Sequence, residues 1–485
     1  MTRDMLALTV ALSLFVLGSS VDLTCPKSPI DVATSSGEFP IGGMAQLPTG
    51  YNCSIDFRVP TGWVVKLKMD SVFQDNDQHL QIRDSISTTH YLSYGNSTFY
   101  CPADKCQLSI TTNSSQSSFY FNWEFQKLSD FSPIKAIIGK PLKLNFDSKS
   151  YYHFISKDNV AFHTSKLDQR VLRWEQDPDI AYIYVYDGAD LNSTFLGDLF
   201  TLSMRNQTLK SSGNSLSLVN IYGYNTKSYG LANDFSAISG YEFYNFTLIT
   251  RNLGLWNTNI LEVSPDGVGA ITFFTPDSEQ MIVELSLDSE RFDGQSMKLQ
   301  PLTPSHGIEP LVTYAENGTM WNYFPQLIPS NLFTWVVTKS SGSYMITVED
   351  VGAMNFTDAF DTKKGYIFSP SLWKTQNSSG YSVTIGSPSM YSFSYTINSF
   401  ISAQSGETLT VEASKSSSNI TSFHTNVTNS PIQVINGTSF TTSFTGISDS
   451  SSFILAFEMT EIKPSGSSTV ASYSLVFFIA FALFL

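Results

Sequence analysis

Phe119, Phe121, Trp123 and Phe125 occupy every second position of one short stretch, with Tyr120, Asn122 and Glu124 between them. Successive side chains of a β-strand point to opposite faces, so this spacing turns four large apolar groups one way and the polar groups the other. A strand of that kind lies half-buried against a second sheet. The pattern returns at Trp63, Val65, Leu67 and Met69, set against Lys66 and Lys68, and at Leu80 and Ile82 among His79, Gln81 and Arg83. It returns again near the end of the chain, where Phe453, Leu455, Phe457 and Met459 alternate with Ile454, Ala456 and Glu458. Nowhere does a comparable stretch carry the 3.6-residue period of an amphipathic helix. The expected fold is all-β, as antiparallel sandwiches in series, and not an α/β arrangement.

The alternating stretches recur at domain-length intervals, which marks repeated units. The first unit is placed at 21–128, with a turn at Val59-Pro60-Thr61-Gly62 that launches the Trp63 strand. The second, 129–251, opens at Phe131 to Lys140; in it Ala181, Ile183 and Val185 alternate with Tyr182, Tyr184 and Tyr186 before the turn Asp187-Gly188. Leu216 to Val219 and Tyr241 to Leu248 supply its later strands. A third unit is placed at 252–360, with strands at Gly269 to Phe274, Met281 to Leu287 and Leu332 to Val337, and a fourth at 361–464. A hydrophobic share of 42% and an aromatic share of 14% are enough to fill such cores and exclude a disordered chain. A net charge of −14 would repel a phosphate backbone, so no nucleic-acid partner is expected.

Both ends read as addresses. Met1 to Ser20 has a basic start at Arg3, an apolar core from Leu6 to Leu17 and small residues at Gly18 and Ser20, the layout of a secretory signal peptide. At the other end, Ser465, Gly466 and Ser467 are three adjacent small residues, Ser468 to Ser474 form a spacer, and Leu475 to Leu485 hold only Leu, Val, Phe, Ile and Ala. That is the layout of a GPI-anchor signal, whose tail at 465–485 is removed as the lipid is attached. A spanning helix needs ~20 apolar residues and a core helix needs a polar face, and the tail has neither. Ser465 is the preferred attachment point, with Gly466 and Ser467 as alternates, and the expected location is the outer leaflet of the plasma membrane.

Sequons for N-glycosylation agree with that route. Asn96, Asn113, Asn192, Asn206, Asn245, Asn317, Asn355, Asn377, Asn419, Asn426 and Asn436 each stand in Asn-x-Ser/Thr, as does Asn52 ahead of Cys53. Each predicts a solvent-facing backbone. Cys25, Cys53, Cys101 and Cys106 are the four cysteines, all in the first unit. An even set in an oxidising compartment reads as two disulfides, with three pairings open from sequence alone. The pairing Cys25 with Cys53 and Cys101 with Cys106 is favoured, because the first ties an N-terminal strand to its neighbour and the second closes a tight turn, Pro102 to Lys105. Zinc is disfavoured by the spacing and by the absence of a nearby His.

The first unit resembles the nematode CUB-like domain family through Cys25-Pro26, Leu47-Pro48-x-Gly50-Tyr51-Asn52-Cys53, Val59-Pro60-x-Gly62 and the close pair Cys101 and Cys106. The second resembles a CUB domain through Ile183-Tyr184-Val185-Tyr186-Asp187-Gly188, Leu196-Gly197-Asp198-Leu199 and Ser211-Ser212-Gly213-Asn214-Ser215-Leu216, although it carries no cysteines. The resemblance implies jelly-roll-like sandwiches in tandem, in secreted or GPI-anchored proteins, many of them tied to epithelial responses to pathogens. Some CUB domains bind calcium. Glu175, Asp177, Asp179 and Asp187 would supply early carboxylates here, but Ile221-Tyr222-Gly223-Tyr224-Asn225 offers no Asp for the later loop, and solvated loop carboxylates are the plainer reading.

No catalytic constellation is legible. His79, His90, His153, His163, His306 and His424 are scattered, and neither His-Glu-x-x-His, a Gly-x-Ser-x-Gly elbow nor a phosphate loop occurs. Asp75 and Asp77 sit in a polar loop where solvation is the simpler role. The expectation is a non-enzymatic surface protein of recognition or adhesion, without metal or cofactor, whose partner beyond the membrane is an extracellular protein or glycan. A secreted hydrolase with a site assembled from distant residues is the remaining alternative. Tyr182, Tyr184 and Tyr186 are the candidate ligand surface: an exposed tyrosine ladder stacks on sugars or anchors a protein. Packing of that strand's second face is the competing and favoured reading.

Overall fold

The computed structural model of the chain describes residues 21–463 apart from 74–78, 93–94, 114–115, 147–148, 166–176, 206–207, 250–257, 263, 265, 277–278, 288–295, 316–319, 339–342, 351–355, 375–379, 415–418 and 447. The fold is all-β, with two short α-helices among the described residues. The chain divides into two compact units, one of Met1–Leu248 with Val268–Thr272 and Thr303–Ile308, the other of Ile249–Gly267, Phe273–Leu302 and Glu309–Leu485.

The first unit begins with a sandwich made from one folded sheet. Its strands are β1 (Ser36–Phe39), β2 (Ala45–Gln46), β3 (Asn52–Val72), β4 (His79–Arg83), β5 (Thr89–Tyr91), β6 (Gly95–Thr111) and β7 (Ser118–Lys127), ordered β1-β7-β3-β6-β4-β5, with β2 also on β7. The two long strands β3 and β6 pair along their length and run through both layers. β7 pairs with the later half of β3, from Trp63 to Val72, and β4 with the far end of β6, from Gln107 to Thr111. The layers meet where the register slips between Val59 opposite Asp104 and Val64 opposite Pro102. The segment Val59-Pro60-Thr61-Gly62 is thus a bulge inside one long strand and not a turn between two. Gly62 holds φ +77°, a left-handed conformation that costs glycine least. Cys101 is bonded to Cys106 across the same corner on β6, and Cys25 is bonded to Cys53 on β3. The expected alternation fills the core: Val65, Leu67, Met69, Leu80, Ile82, Phe119, Phe121, Trp123 and Phe125 are all buried in it.

A second sandwich follows in the same unit. One sheet holds β8 (Ser132–Ala136), β10 (Ser150–Ile155), β12 (Ile183–Asp187), β13 (Thr194–Asp198) and β15 (Ser215–Asn220) in the order β13-β12-β15-β10-β8. The other holds β9 (Leu142–Lys143), β11 (Val160–Thr164), β14 (Leu209–Lys210) and β16 (Tyr229–Asp234) in the order β14-β11-β16-β9. Pairing is antiparallel except for β8 with β10, which run parallel. Phe154, Phe162, Ile183, Val185, Leu216 and Leu218 meet between the sheets. With no cysteine present, this apolar contact holds the two sheets together. A seven-residue helix, α1 (Leu199–Arg205), was not legible in the sequence. Asp198 sits ahead of it and its Oδ1 accepts the Thr201 N–H at 2.8 Å, an N-cap contact that satisfies one free donor of the helix.

In the second unit, Thr258–Glu262, Ser343–Asp350, Met281–Leu287 and Gln326–Ile328 form an antiparallel sheet in that order. Ser296–Pro301 lies between Val312–Ala315 and Leu332–Thr338. The last sheet is ordered Lys364–Phe368, Ser452–Glu461, Tyr381–Ile401, Gln433–Phe444, Leu409–Ser414, Asn419–Phe423. Its central strand of 21 residues pairs with both neighbours through bulges, one at Gly386/Tyr391. Phe453, Leu455, Phe457 and Met459 face the core with Phe393, Tyr395 and Phe440, as their spacing required.

Candidate functional site

The central strand β12 lies between β13 and β15, so both of its faces can pack. Ile183 and Val185 enter the core of their own sandwich. Tyr184 and Tyr186, on the opposite face, are 4% and 2% exposed. They join a second apolar cluster with Val64, Tyr100 and Leu128 from the first sandwich and Leu191, Phe195 and Val219 from the second. Two of the three stripe residues are therefore interior groups at a domain junction, and no ladder Tyr182-Tyr184-Tyr186 faces solvent.

Hydroxyl groups give the junction direction. Tyr184 donates its hydroxyl proton to the Tyr100 carbonyl. The Tyr222 hydroxyl accepts the Tyr100 N–H at 3.1 Å and stands 3.2 Å from the Tyr184 oxygen. Tyr100 lies opposite Lys66 of β3, and the next strand, β4, reaches β6 only from Gln107 onward. The outer edge of β6 at Tyr100 thus has no strand partner among the described residues, and side-chain hydroxyls satisfy backbone groups that would otherwise be stranded in an apolar interface. The rings interlock as well: Tyr222 meets Tyr100 edge-on at 4.7 Å, and Tyr184 meets Phe195 at 5.3 Å. Burial holds the Tyr184, Tyr186 and Tyr222 hydroxyls well above the ordinary tyrosine range, so they stay protonated at neutral pH.

Beside this junction lies a cleft of about 390 Å³. Its aromatic walls are Phe99, Tyr100, Tyr182, Tyr184 and Tyr222, and its polar groups include Asp84, His90 and Asp198. Those polar groups already carry structural bonds. Asp84 Oδ1 accepts the N–H groups of Ile86 and Thr88, and Oδ2 meets His90 Nε2 at 2.9 Å. Asp198 caps α1. Tyr182 is half-buried, and Tyr224, 51% exposed, packs on both Tyr182 and Tyr222 at ring distances of 4.7 and 6.1 Å. Tyr91, 72% exposed, also lines the cleft, and Tyr182 with Tyr224, joined through Tyr222, extends an accessible aromatic surface next to it. In sequence, 221–225 stands out only as a loop without the Asp that calcium would require; its Tyr-Gly-Tyr spacing is the signal that points to this surface.

The other candidate residues are placed as follows. Asp177 accepts the Lys227 and Ser228 N–H groups at 2.7 and 3.2 Å, and Asp187 accepts the Ser212 N–H at 2.9 Å, so both carboxylates fasten loops. Among the described residues no three of His, Cys, Asp and Glu gather closely enough for a metal ion. Asn96, Asn113, Asn192, Asn419, Asn426 and Asn436 are exposed. Asn245 is 5% exposed, and there the solvent-facing expectation does not hold: every residue from Tyr244 to Leu248 is buried, so the strand is covered on both faces. Met1 to Ser20, Asp75, Asp77, Glu175, Asn206, Asn317, Asn355, Asn377, Ser465, Gly466 and Ser467 lie outside the described residues.

Residues 20–129 match the model of the CUB-like domain, a class of module that is typically extracellular and generally non-catalytic. The chain therefore carries a CUB-like domain at its N-terminal end, coincident with the disulfide-bonded sandwich. No curated protein matches the chain. Among solved structures, the CUB1-EGF-CUB2 domains of rat MASP-1 are similar at 7% identity over 66% of this chain and 99% of that one, with a TM-score of 0.18. The CUB1-EGF-CUB2 domain of human MASP-1/3 aligns at 8% identity over 41% and 98%, with a TM-score of 0.18. The extracellular region of zebrafish Gpr126/Adgrg6 aligns at 8% identity over 91% and 53%, with a TM-score of 0.19.

Proposed function

We propose that the chain is a non-enzymatic glycoprotein of the cell surface, held by a GPI anchor at Ser465, Gly466 or Ser467, that acts in recognition or adhesion, in an epithelial defence response. The observation that carries the recognition role is the junction cleft: its walls are aromatic, and Asp84, His90 and Asp198 make turn, side-chain hydrogen-bond and helix-cap contacts. The tandem CUB-like reading of 129–251 and the defence role follow from the motif resemblance, and the anchor from the apolar tail. Treatment of expressing cells with a phosphatidylinositol-specific phospholipase should release the protein into the medium. Retention in the membrane with an intact C-terminus would end the anchor assignment.

A second reading, binding of a glycan, is favoured by one feature: Tyr224 is 51% exposed and packs on Tyr182, giving adjoining rings for a pyranose face. Saturable binding of the ectodomain on a glycan array should be lost on Tyr224→Ala. Absence of any saturable binding by the unaltered ectodomain leaves protein recognition as the role of the cleft.

A further inference from the structure

Of the exposed apolar side chains on the last sheet and its flanks, Ile401 and Ile420 stand on separate strands, whereas Ile432 and Val434 stand together at the start of one. Along the segment from Ile432 to Asn436 burial alternates: Ile432, Val434 and Asn436 are exposed, while Gln433 and Ile435 are partly covered. Gln433 turns inward to accept the Tyr395 hydroxyl at 2.5 Å, and Ile435 packs against the core. Ile432 and Val434 thus share the outward face with Asn436, and they are 73% and 60% exposed. Their surroundings on that face are hydrophilic. Ser394 stands opposite Val434 and Ser392 opposite Asn436, and beyond them come Glu458 and Thr460.

Among the described residues the outer edge of the same segment is unpaired. On one side the strand Gln433–Phe444 pairs with Tyr381–Ile401, but its other neighbour, Leu409–Ser414, reaches only from Phe444 to Ser439. Among the described residues no strand pairs the outer edge from Gln433 to Asn436. An exposed apolar strand edge templates association with another chain, and natural sheets blunt such edges with charge, proline or cover. This one has Pro431 ahead of it and no lysine or other charge within it. What it does have is the sequon Asn436-Gly437-Thr438 on the same face as the two apolar groups.

We propose that Asn436 carries an N-linked glycan whose core sugars lie along this face and cover Val434 and Ile432, making the glycan the shield of the open edge. At a rise of about 3.4 Å per residue, Val434 is ~7 Å and Ile432 ~14 Å from the attachment point, within reach of a branched core oligosaccharide. The less polar faces of the sugar rings meet the exposed methyl groups, and the hydroxyls face water. The occupant is the chain's own modification; a second copy of the chain would take its place when the glycan is removed.

The inference rests on passage through the secretory pathway, and the experiment separates the two. Mass spectrometry of the full-length protein from a secretory host should find Asn436 occupied. Asn436→Gln should raise fluorescence of an apolar-surface dye at least twofold and give concentration-dependent self-association in sedimentation velocity, whereas Asn96→Gln should do neither. Ile432→Ser with Val434→Ser should return the Asn436→Gln protein to a monomer. If Asn436→Gln folds poorly, enzymatic removal of glycans from the folded wild-type protein, compared with the same treatment of the double-serine variant, reads the same effect. Occupancy at other sequons with Asn436 bare, or an unchanged monomer after its glycan is lost, overturns the shield alone. No occupied sequon anywhere overturns the secretory reading itself.

Discussion

Replacing Tyr184 with phenylalanine removes one oxygen atom from the domain junction and nothing else. In the wild-type protein that hydroxyl donates to the Tyr100 carbonyl and lies 3.2 Å from the Tyr222 hydroxyl, within a ring environment that is 4% exposed. The variant leaves a buried acceptor without its donor, which costs about 1–3 kcal/mol. Tyr184→Ala also empties a ring-sized space and should cost about 3–5 kcal/mol. Tyr186 supplies the internal control, since its buried hydroxyl has no hydrogen-bond partner among the described residues. Tyr186→Phe should be neutral or slightly stabilising, because it removes a desolvated polar group without orphaning another. Urea unfolding of the ectodomain, with the first transition fitted for each variant, measures the difference. Hydrogen exchange at the Tyr100 amide gives a residue-level check, as Tyr222→Phe removes the oxygen that accepts its proton. Equal stability of Tyr184→Phe and Tyr186→Phe, with unchanged protection at Tyr100, would refute the account of the junction.

The two disulfides should differ in worth. Cys25–Cys53 closes a separation of 28 residues and Cys101–Cys106 one of 5, so chain-entropy loss predicts about 3.5 and about 2 kcal/mol for their removal by paired serine substitutions, checked by denaturant melts. Lys363 should give an alkaline signature. Its side chain is buried against Phe356 and Phe360, with Nζ donating to the Phe356 and Asp358 carbonyls, and burial lowers its pKa to about 8. Between pH 8 and ~10 the unfolded chain holds a proton that the folded chain has released, so stability rises with pH by up to ~1.4 kcal/mol per unit from this group. Lys363→Met should abolish that rise; an unchanged slope would place the lysine in water.

Alternation of large apolar residues with polar ones was sufficient to define the strands. Phe119 to Phe125 and Phe453 to Met459 face their cores as the period of two demands, since a strand has only two faces and water selects between them. The cysteine pairing was favoured on the same local logic. The structure differs from the sequence wherever a second element covers the nominally outward face. Val64 and Val65 are adjacent and both fully buried, Val65 in its own core and Val64 in the junction. Tyr184, Tyr186 and Asn245 are buried for the same kind of reason, and no local pattern distinguishes a face open to water from one open to a neighbouring sheet.

The cleft and its aromatic surface belong to that second category. Tyr100, Tyr182 and Tyr222 are separated by 82 and 40 positions in sequence, and only the packing of one sandwich on another brings their rings within contact. The sequence by itself determined strand identity, the sequons and the cysteine set, because each depends on near neighbours along the chain. Tertiary structure decided which tyrosines are interior, which carboxylates fasten loops and which strand edge is left open, because burial is set by long-range contacts that a one-dimensional pattern does not contain.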